Sequence, residues 1–342
     1  MENWKKKLNS DSVHWLLEKD EKQPGVRYFA LRDILGRDGR EEEVRQARAT
    51  VMSTGPVAEI LAAQHPDGYW GKSGPGYLPK YQGTVWQVVF LAQLGADGAN
   101  PEVKAGCEYA LKYNTAKSCG FSMNGTSSAF IHCMAGNLAA ALVDLGYEDD
   151  ERLMRALEWQ SRLITGEGVS GLGSKGIVGR YYSGTPGPLF ACGANDGMSC
   201  AWGAIKAMLA LSKMPPGKRT EQMSKAIAIG IEFLLGKDLA VADYPFAYGK
   251  RPSSSWFKFG YPVGYVTDVL QNLEVLAALG KASDPRLKNA LEFILGKQDE
   301  NGRWLMEYSY NGKMWVDIEE KGKPSKWVTL RALRVLKSAY PE

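Results

Sequence analysis

The sequence predicts an all-α protein in which six helical hairpins close into a ring around a central cavity. Three observations carry this expectation. One hairpin signature recurs along the chain, apolar and amphipathic helices alternate, and the first and last helices each lack a partner. Leu94-Gly95 leads to Pro101-Glu102 and then Glu108-Tyr109. Leu145-Gly146 leads to Asp149-Asp150 and Glu158-Trp159, and Leu279-Gly280 leads to Asp284-Pro285 and Glu292-Phe293. Leu211-Ser212 to Glu232-Phe233 is a looser copy, and Leu35-Gly36 before Glu41–Glu43 is another.

Each unit has the same physics. An apolar helix stops at a glycine able to take the left-handed C′ conformation. A polar turn with Asp or Pro opens the next helix, and that second helix runs back with one charged face toward solvent. The apolar helices are expected to begin near Val26, Thr84, Ser127, Asp196, Thr267 and Ser325. Five have an amphipathic successor; the last does not. The short helix near Asp11 to Glu18 is also unpartnered, and pairing it with the last helix closes the ring. An open solenoid would instead need a polar cap at each end.

Composition sets limits on function. The chain has 342 residues, 44% hydrophobic and 23% charged, and reads as one domain over 1–342. A net charge of +4 with no basic stripe excludes a nucleic-acid partner. Polar Asn9 to Ser12 follow Trp4 and the lysines, so no secretory leader is expected, and no apolar run is long enough to span a membrane. Five irregularly spaced cysteines read as reduced thiols of a cytoplasmic protein.

Gln64-His65-Pro66-Asp67-Gly68-Tyr69-Trp70 and Gln298-Asp299-Glu300-Asn301-Gly302-Arg303-Trp304 share the pattern Q-x-x-x-G-x-W, each after an amphipathic helix. The pattern resembles the QW repeat of squalene–hopene cyclases and the related repeat of protein prenyltransferase β subunits. The ending from Lys323-Pro324 through Trp327 to Leu333 resembles cyclase-like bacterial members of the same terpenoid cyclase-like superfamily. The resemblance implies an (α/α)6 barrel, a toroid with an apolar, aromatic-lined cavity, and an isomerase or lyase acting on an isoprenoid or polycyclic substrate. It also implies possible peripheral contact with membranes. The chain departs from both families: it has no D-x-D-D acid motif, Asp196 and Cys200 are spaced too widely for the prenyltransferase zinc site, and no His lies near Trp327.

The short Leu-Gly turns occupy one rim of such a ring. Long loops at 115–127, 164–196, 238–266 and 299–325 occupy the other, with the positive ends of the inner helix dipoles. The loop rim is therefore the expected site. Ten Trp, sixteen Tyr and ten Phe exceed the needs of a helical core. Trp86, Tyr181, Trp202, Trp256, Phe259, Tyr265, Tyr308 and Trp327 are the expected wall for a hydrophobic small molecule, their ring faces able to stabilise a carbocation. Asp268 and Asp196, both near inner-helix starts, are the candidate proton donors, and His132 the candidate base. Cys119, Cys133, Cys192 and Cys200 fall on the same rim. Four thiolates there would suit zinc or an iron–sulfur cluster, and a thiol at a helix N-terminus would suit nucleophilic chemistry. Three further readings stand beside acid catalysis: a metal- or thiol-dependent enzyme, a non-catalytic binding scaffold, and a sugar-active enzyme, which would require a facing carboxylate pair.

Overall fold

The computed structural model describes residues 2–167, 188–249 and 251–341. Thirteen α-helices are named here: α1 (Val13–Leu17), α2 (Pro24–Phe29), α3 (Glu42–Ser53), α4 (Gly55–Ala62), α5 (Thr84–Leu94), α6 (Pro101–Asn114), α7 (His132–Asp144), α8 (Glu151–Thr165), α9 (Ala201–Lys213), α10 (Glu221–Leu235), α11 (Val269–Ala278), α12 (Lys288–Leu295) and α13 (Lys326–Ala339). A π-helical turn, Ala30–Ile34, extends α2. The β-structure is minor, with β1 (Trp304–Leu305) antiparallel to β2 (Pro324–Ser325).

Helices α2, α5, α7, α9, α11 and α13 form the inner ring. They are buried nearly all round, as their apolar sequences require. Neighbours from α5 to α13 pack in order, and α13 packs on α2. The α2 to α5 junction is closed at Gly25, where a β-carbon would collide with the Leu94 carbonyl on one side and the Trp327 ring on the other. The ring is therefore continuous, an α/α toroid as the sequence predicts.

The hairpin signature works as expected. Gly95, Gly146 and Gly280 have φ of +92°, +87° and +75°. Asn100, Asp150, Thr220 and Asp284 cap the following turns through their side-chain oxygens. Where Ser212 replaces the glycine, Arg219 donates to the carbonyls of Ser212 and Met214, closing the α9 terminus by another route.

The two Gln-to-Trp turns are structural copies. Trp70 and Trp304 are fully buried. Their indole N–H groups donate to the carbonyls of Ile60 and Ile294, both at 2.7 Å, and their backbone N–H groups donate to Thr84 and Thr329 hydroxyls at 3.1 and 3.0 Å. Gln64 reaches the Glu102 carbonyl on α6; Gln298 reaches the Lys7 carbonyl at 3.1 Å and accepts from Asn9 N–H. The N-terminal segment thus stands where an outer helix stands in the first copy, and it closes the ring.

Two inner helices start later than expected. The segment at Ser127 is a 3-10 turn, Ser127–Ala129, and α7 begins at His132. Asp196 is left-handed (φ +53°) and followed by left-handed Gly197, which breaks any helix; α9 begins at Ala201.

The bore of the ring is not open. Residues 260–264 cross it, including the cis Tyr261-Pro262 bond. Arg331 donates to the Gly260 carbonyl at 2.7 Å, Gln93 pairs with both backbone groups of Val263 at 2.8 and 2.7 Å, and Asn137 donates to the Gly264 carbonyl at 3.1 Å. Three inner helices hold this axial segment by its backbone, which satisfies polar groups that burial would otherwise leave costly.

Candidate functional site

Three of the four rim cysteines meet. Cys133 is the second residue of α7, where free N–H groups favour negative charge, and Cys200 caps α9. The loop before α9 folds back on itself: Cys192 N–H donates to Met198 O, Cys200 N–H donates to Phe190 O, and Ala191 bridges Ser199. This brings Cys192 beside Cys200. Hydrogen bonding to Cys133, together with burial, pushes the Cys200 thiol up to about 12. Hydrogen bonding to Cys200, then burial, pushes Cys192 higher still. Both therefore keep their protons, and Cys133 and Cys200 adjoin across Gly203.

Tyr77, Lys80 and Tyr265 surround Cys133. Burial pushes the Tyr77 hydroxyl up to about 12, with the charge of Cys133 adding to it. Burial lowers Lys80, whose ammonium lies 3.9 Å from the Tyr265 ring centre. Trp202 meets Tyr265 edge-on at 5.9 Å. Trp86, Tyr81, Tyr310 and Tyr308 continue the aromatic wall, each ring touching the next. Tyr77, Lys80, Trp202, Tyr265 and Tyr308 are all half-exposed, while Cys133 and Trp86 are buried.

Lys206 lies beneath Cys133, fully buried on α9. Burial lowers it to about 7, although Asp268 and Cys133 pull the other way. It donates to the Gln271 side-chain oxygen, which also accepts from Thr267. The sequence reading missed Lys206. The signal was there: it is a single cation in an otherwise apolar stretch, Ala201 to Leu211.

Several expected roles change. Asp268 is no proton donor: its oxygens accept from Arg331 at 3.0 and 3.1 Å and from Gln271 N–H at 2.7 Å, making it a capping carboxylate in a buried ion pair. Arg331 also binds Glu274 at 2.7 Å. Asp196 is exposed in its turn. His132 sits away from the bore, between Phe130 and Phe190 and 3.3 Å from Gln160; burial lowers it to about 3, so it is a neutral core residue. Cys119 lies outside this thiol cluster, in a left-handed turn at φ +71°. Among the described residues no group of three or more His, Cys, Asp or Glu is arranged to hold a metal ion, so the four-cysteine zinc or iron–sulfur arrangement does not form. Trp256 packs on Tyr244, Phe259 on Phe293, and Trp327 stacks on Tyr261 at 4.3 Å; these three are buried packing residues. Trp86 is also buried, and Trp202, Tyr265 and Tyr308 are half-exposed in the aromatic cluster. Tyr181 lies outside the described residues.

The ring's large cavity, about 390 Å³, opens on the opposite rim, among the C-terminal ends of the inner helices. It is not the aromatic-lined hydrophobic cavity expected. Tyr28, Phe29 and Tyr261 are its aromatics, alongside Arg32, Arg48, Arg334, Lys213, Asp33, Asp144 and Glu274. Long loops mark one rim in the sequence, but the axial segment fills that end and leaves the space at the other.

No family model matches the chain, and no curated protein matches it. Solved structures do. An unsaturated glucuronyl hydrolase specific for heparin aligns at 9% identity and TM-score 0.49, over 94% of this chain and 86% of that one. The type II terpene cyclase MstE from Scytonema aligns at 14% identity and TM-score 0.34 in its complex with geranylgeranyl dihydroxybenzoate, over 83% of this chain and 95% of that one. No helix among the described residues is long and apolar enough to cross a membrane. By its closed ring of paired helices and its two matching Gln-to-Trp turns, the chain is, in fold, an α/α toroid.

Proposed function

We propose that the protein is a thiol-dependent enzyme acting on a hydrophobic small molecule, isoprenoid or polycyclic, at the long-loop rim. Cys133 is the reacting group. One observation carries the reading: thiols separated by 59 and 8 positions in sequence converge at the starts of two inner helices, with Lys80 and Lys206 near Cys133. A thiol is activated by nearby cations and a helix N-terminus, and its anion is the nucleophile. Cys200 adjoins Cys133 across Gly203. Tyr77, Trp202 and Tyr265 supply the wall that takes an apolar substrate. The acid-catalysed cyclase reading loses its proton donor, because both Asp268 oxygens are engaged as acceptors.

Brief alkylation with iodoacetamide, read by peptide mass spectrometry, tests this. Cys133 is expected to react before Cys107, Cys192 and Cys200, and Cys200→Ser to slow its reaction at least threefold with the fold retained. Modification of Cys107, Cys192 or Cys200 ahead of Cys133, or a folded protein whose Cys133 stays inert, overturns the assignment.

A further inference from the structure

The cavity on the short-turn rim is built in three zones, each with its own chemistry. Its floor carries two buried amides, Gln271 (4% exposed) and Asn137 (3% exposed). The Gln271 oxygen is taken by Lys206 and Thr267, and the Asn137 nitrogen by the Gly264 carbonyl. Among the described residues nothing engages the Gln271 Nε2 donors or the Asn137 oxygen, and both residues line the cavity. This donor and this acceptor are open to a ligand or water in the cavity.

The waist is apolar and narrow-walled. Ala92 and Ala96 of the α5 hairpin, Ala140 and Ala141 of α7, and Ala277 of α11 face it. The mouth is cationic in its open valences. Asp33 is one carboxylate shared by two guanidinium groups, Arg32 at 2.6 Å and Arg334 at 2.5 Å, which flank the Phe29 ring at 4.7 Å each. The Nε–H groups of Arg48 and Arg334 are shielded from solvent and have no acceptor among the described residues. From Asn137 to Asp144, floor to mouth, α7 advances seven residues, about 10 Å at 1.5 Å per residue.

We infer that this cavity is a binding site, separate from the thiol rim, for a slender amphiphilic anion. A hydroxyl or carbonyl end meets the Gln271 and Asn137 amides, an apolar body of about 10 Å lies along the alanines, and a carboxylate or phosphate meets Arg48 and Arg334. The two anionic groups share one chemistry, charge-assisted hydrogen bonds to guanidinium. The inference does not rest on the thiol reading.

Isothermal titration calorimetry of the full chain with 8-hydroxyoctanoate and with 8-hydroxyoctyl phosphate tests it, with 1,8-octanediol as the neutral control. Saturable binding of one or both anions is expected, at least tenfold tighter than the diol; the tighter anion tells carboxylate from phosphate. Ala278→Trp, at an exposed position on the mouth, and Arg334→Gln are each expected to weaken binding at least tenfold. If Ala278→Trp does not fold, by circular dichroism, Arg334→Gln decides. Cys133→Ser should bind as the parent does, which separates this site from the thiol rim. Absence of saturable binding by both anions, equal affinity for the diol, or undiminished binding by a folded Arg334→Gln protein overturns the inference.

Discussion

Lys206 and Arg331 are single charges set into helices that are otherwise apolar, and both are fully buried. Arg331 is satisfied by two carboxylates and a carbonyl; Lys206 donates to the Gln271 amide oxygen, with Asp268 and Cys133 acting at longer range. The consequence is a pH signature. The folded state lowers Lys206 from 10.5 to about 7. Between those values the unfolded chain binds the extra proton, so this residue's contribution to stability rises with pH by about 1 kcal/mol per unit, and its burial cost is fully present below pH 7. Urea unfolding at pH 6.5, 8 and 9.5 should therefore show the parent gaining on Lys206→Met across the series; a constant difference refutes the assignment. Asp268 shows why the residue scale was only partly legible. A carboxyl at a helix start beside aromatics reads equally as a cap or an acid. What decides is Arg331, 63 positions away in the chain and adjacent only once the ring has closed. The thiols were legible as a group because each begins or precedes an inner helix; Cys119 was not separable from them, since its turn points elsewhere.

At the scale of elements, the closest packing in the ring is between α7 and α9. A β-carbon on Gly136 would fall well inside van der Waals contact of the Lys206 carbonyl, and one on Gly203 would sit 3.2 Å from the His132 β-carbon. These two glycines let the helices that carry Cys133 and Cys200 approach until their thiols touch. Gly136→Ala should force the pair apart, costing about 1–3 kcal/mol in urea unfolding and slowing Cys133 alkylation as Cys200 moves away; unchanged values for both would show that the contact is not needed. The hairpins themselves were readable because a Leu-Gly stop followed by a capped turn is a local signal. Gly136 and Gly203 were not, because a glycine inside a helix announces its role only through the neighbour it admits. The starts of α7 and α9 were misplaced for a related reason: short 3-10 and left-handed turns carry the same Ser and Asp residues as true caps.

Over the whole molecule, closure depends on the last Gln-to-Trp turn gripping the first residues of the chain. Gln298→Leu removes the hydrogen bonds to Lys7 and Asn9. Hydrogen exchange followed by mass spectrometry should then show faster exchange in residues 3–12 and around Trp304 but not at Gly68–Trp70, while Gln64→Leu should do the reverse. Equal loosening at both turns would mean that the ring opens as one unit. The toroid was legible because repeats and unpaired ends are properties of the whole sequence. The location of the free space was not: it follows from the path of residues 260–264, which no spacing or composition marks. That crossing segment turns the ring from a pipe into a single cup, stopped at its long-loop end. Whatever enters the cup must leave by the way it came, so arrival and departure share a single doorway, and a crowded doorway rather than a slow passage would set the pace of exchange.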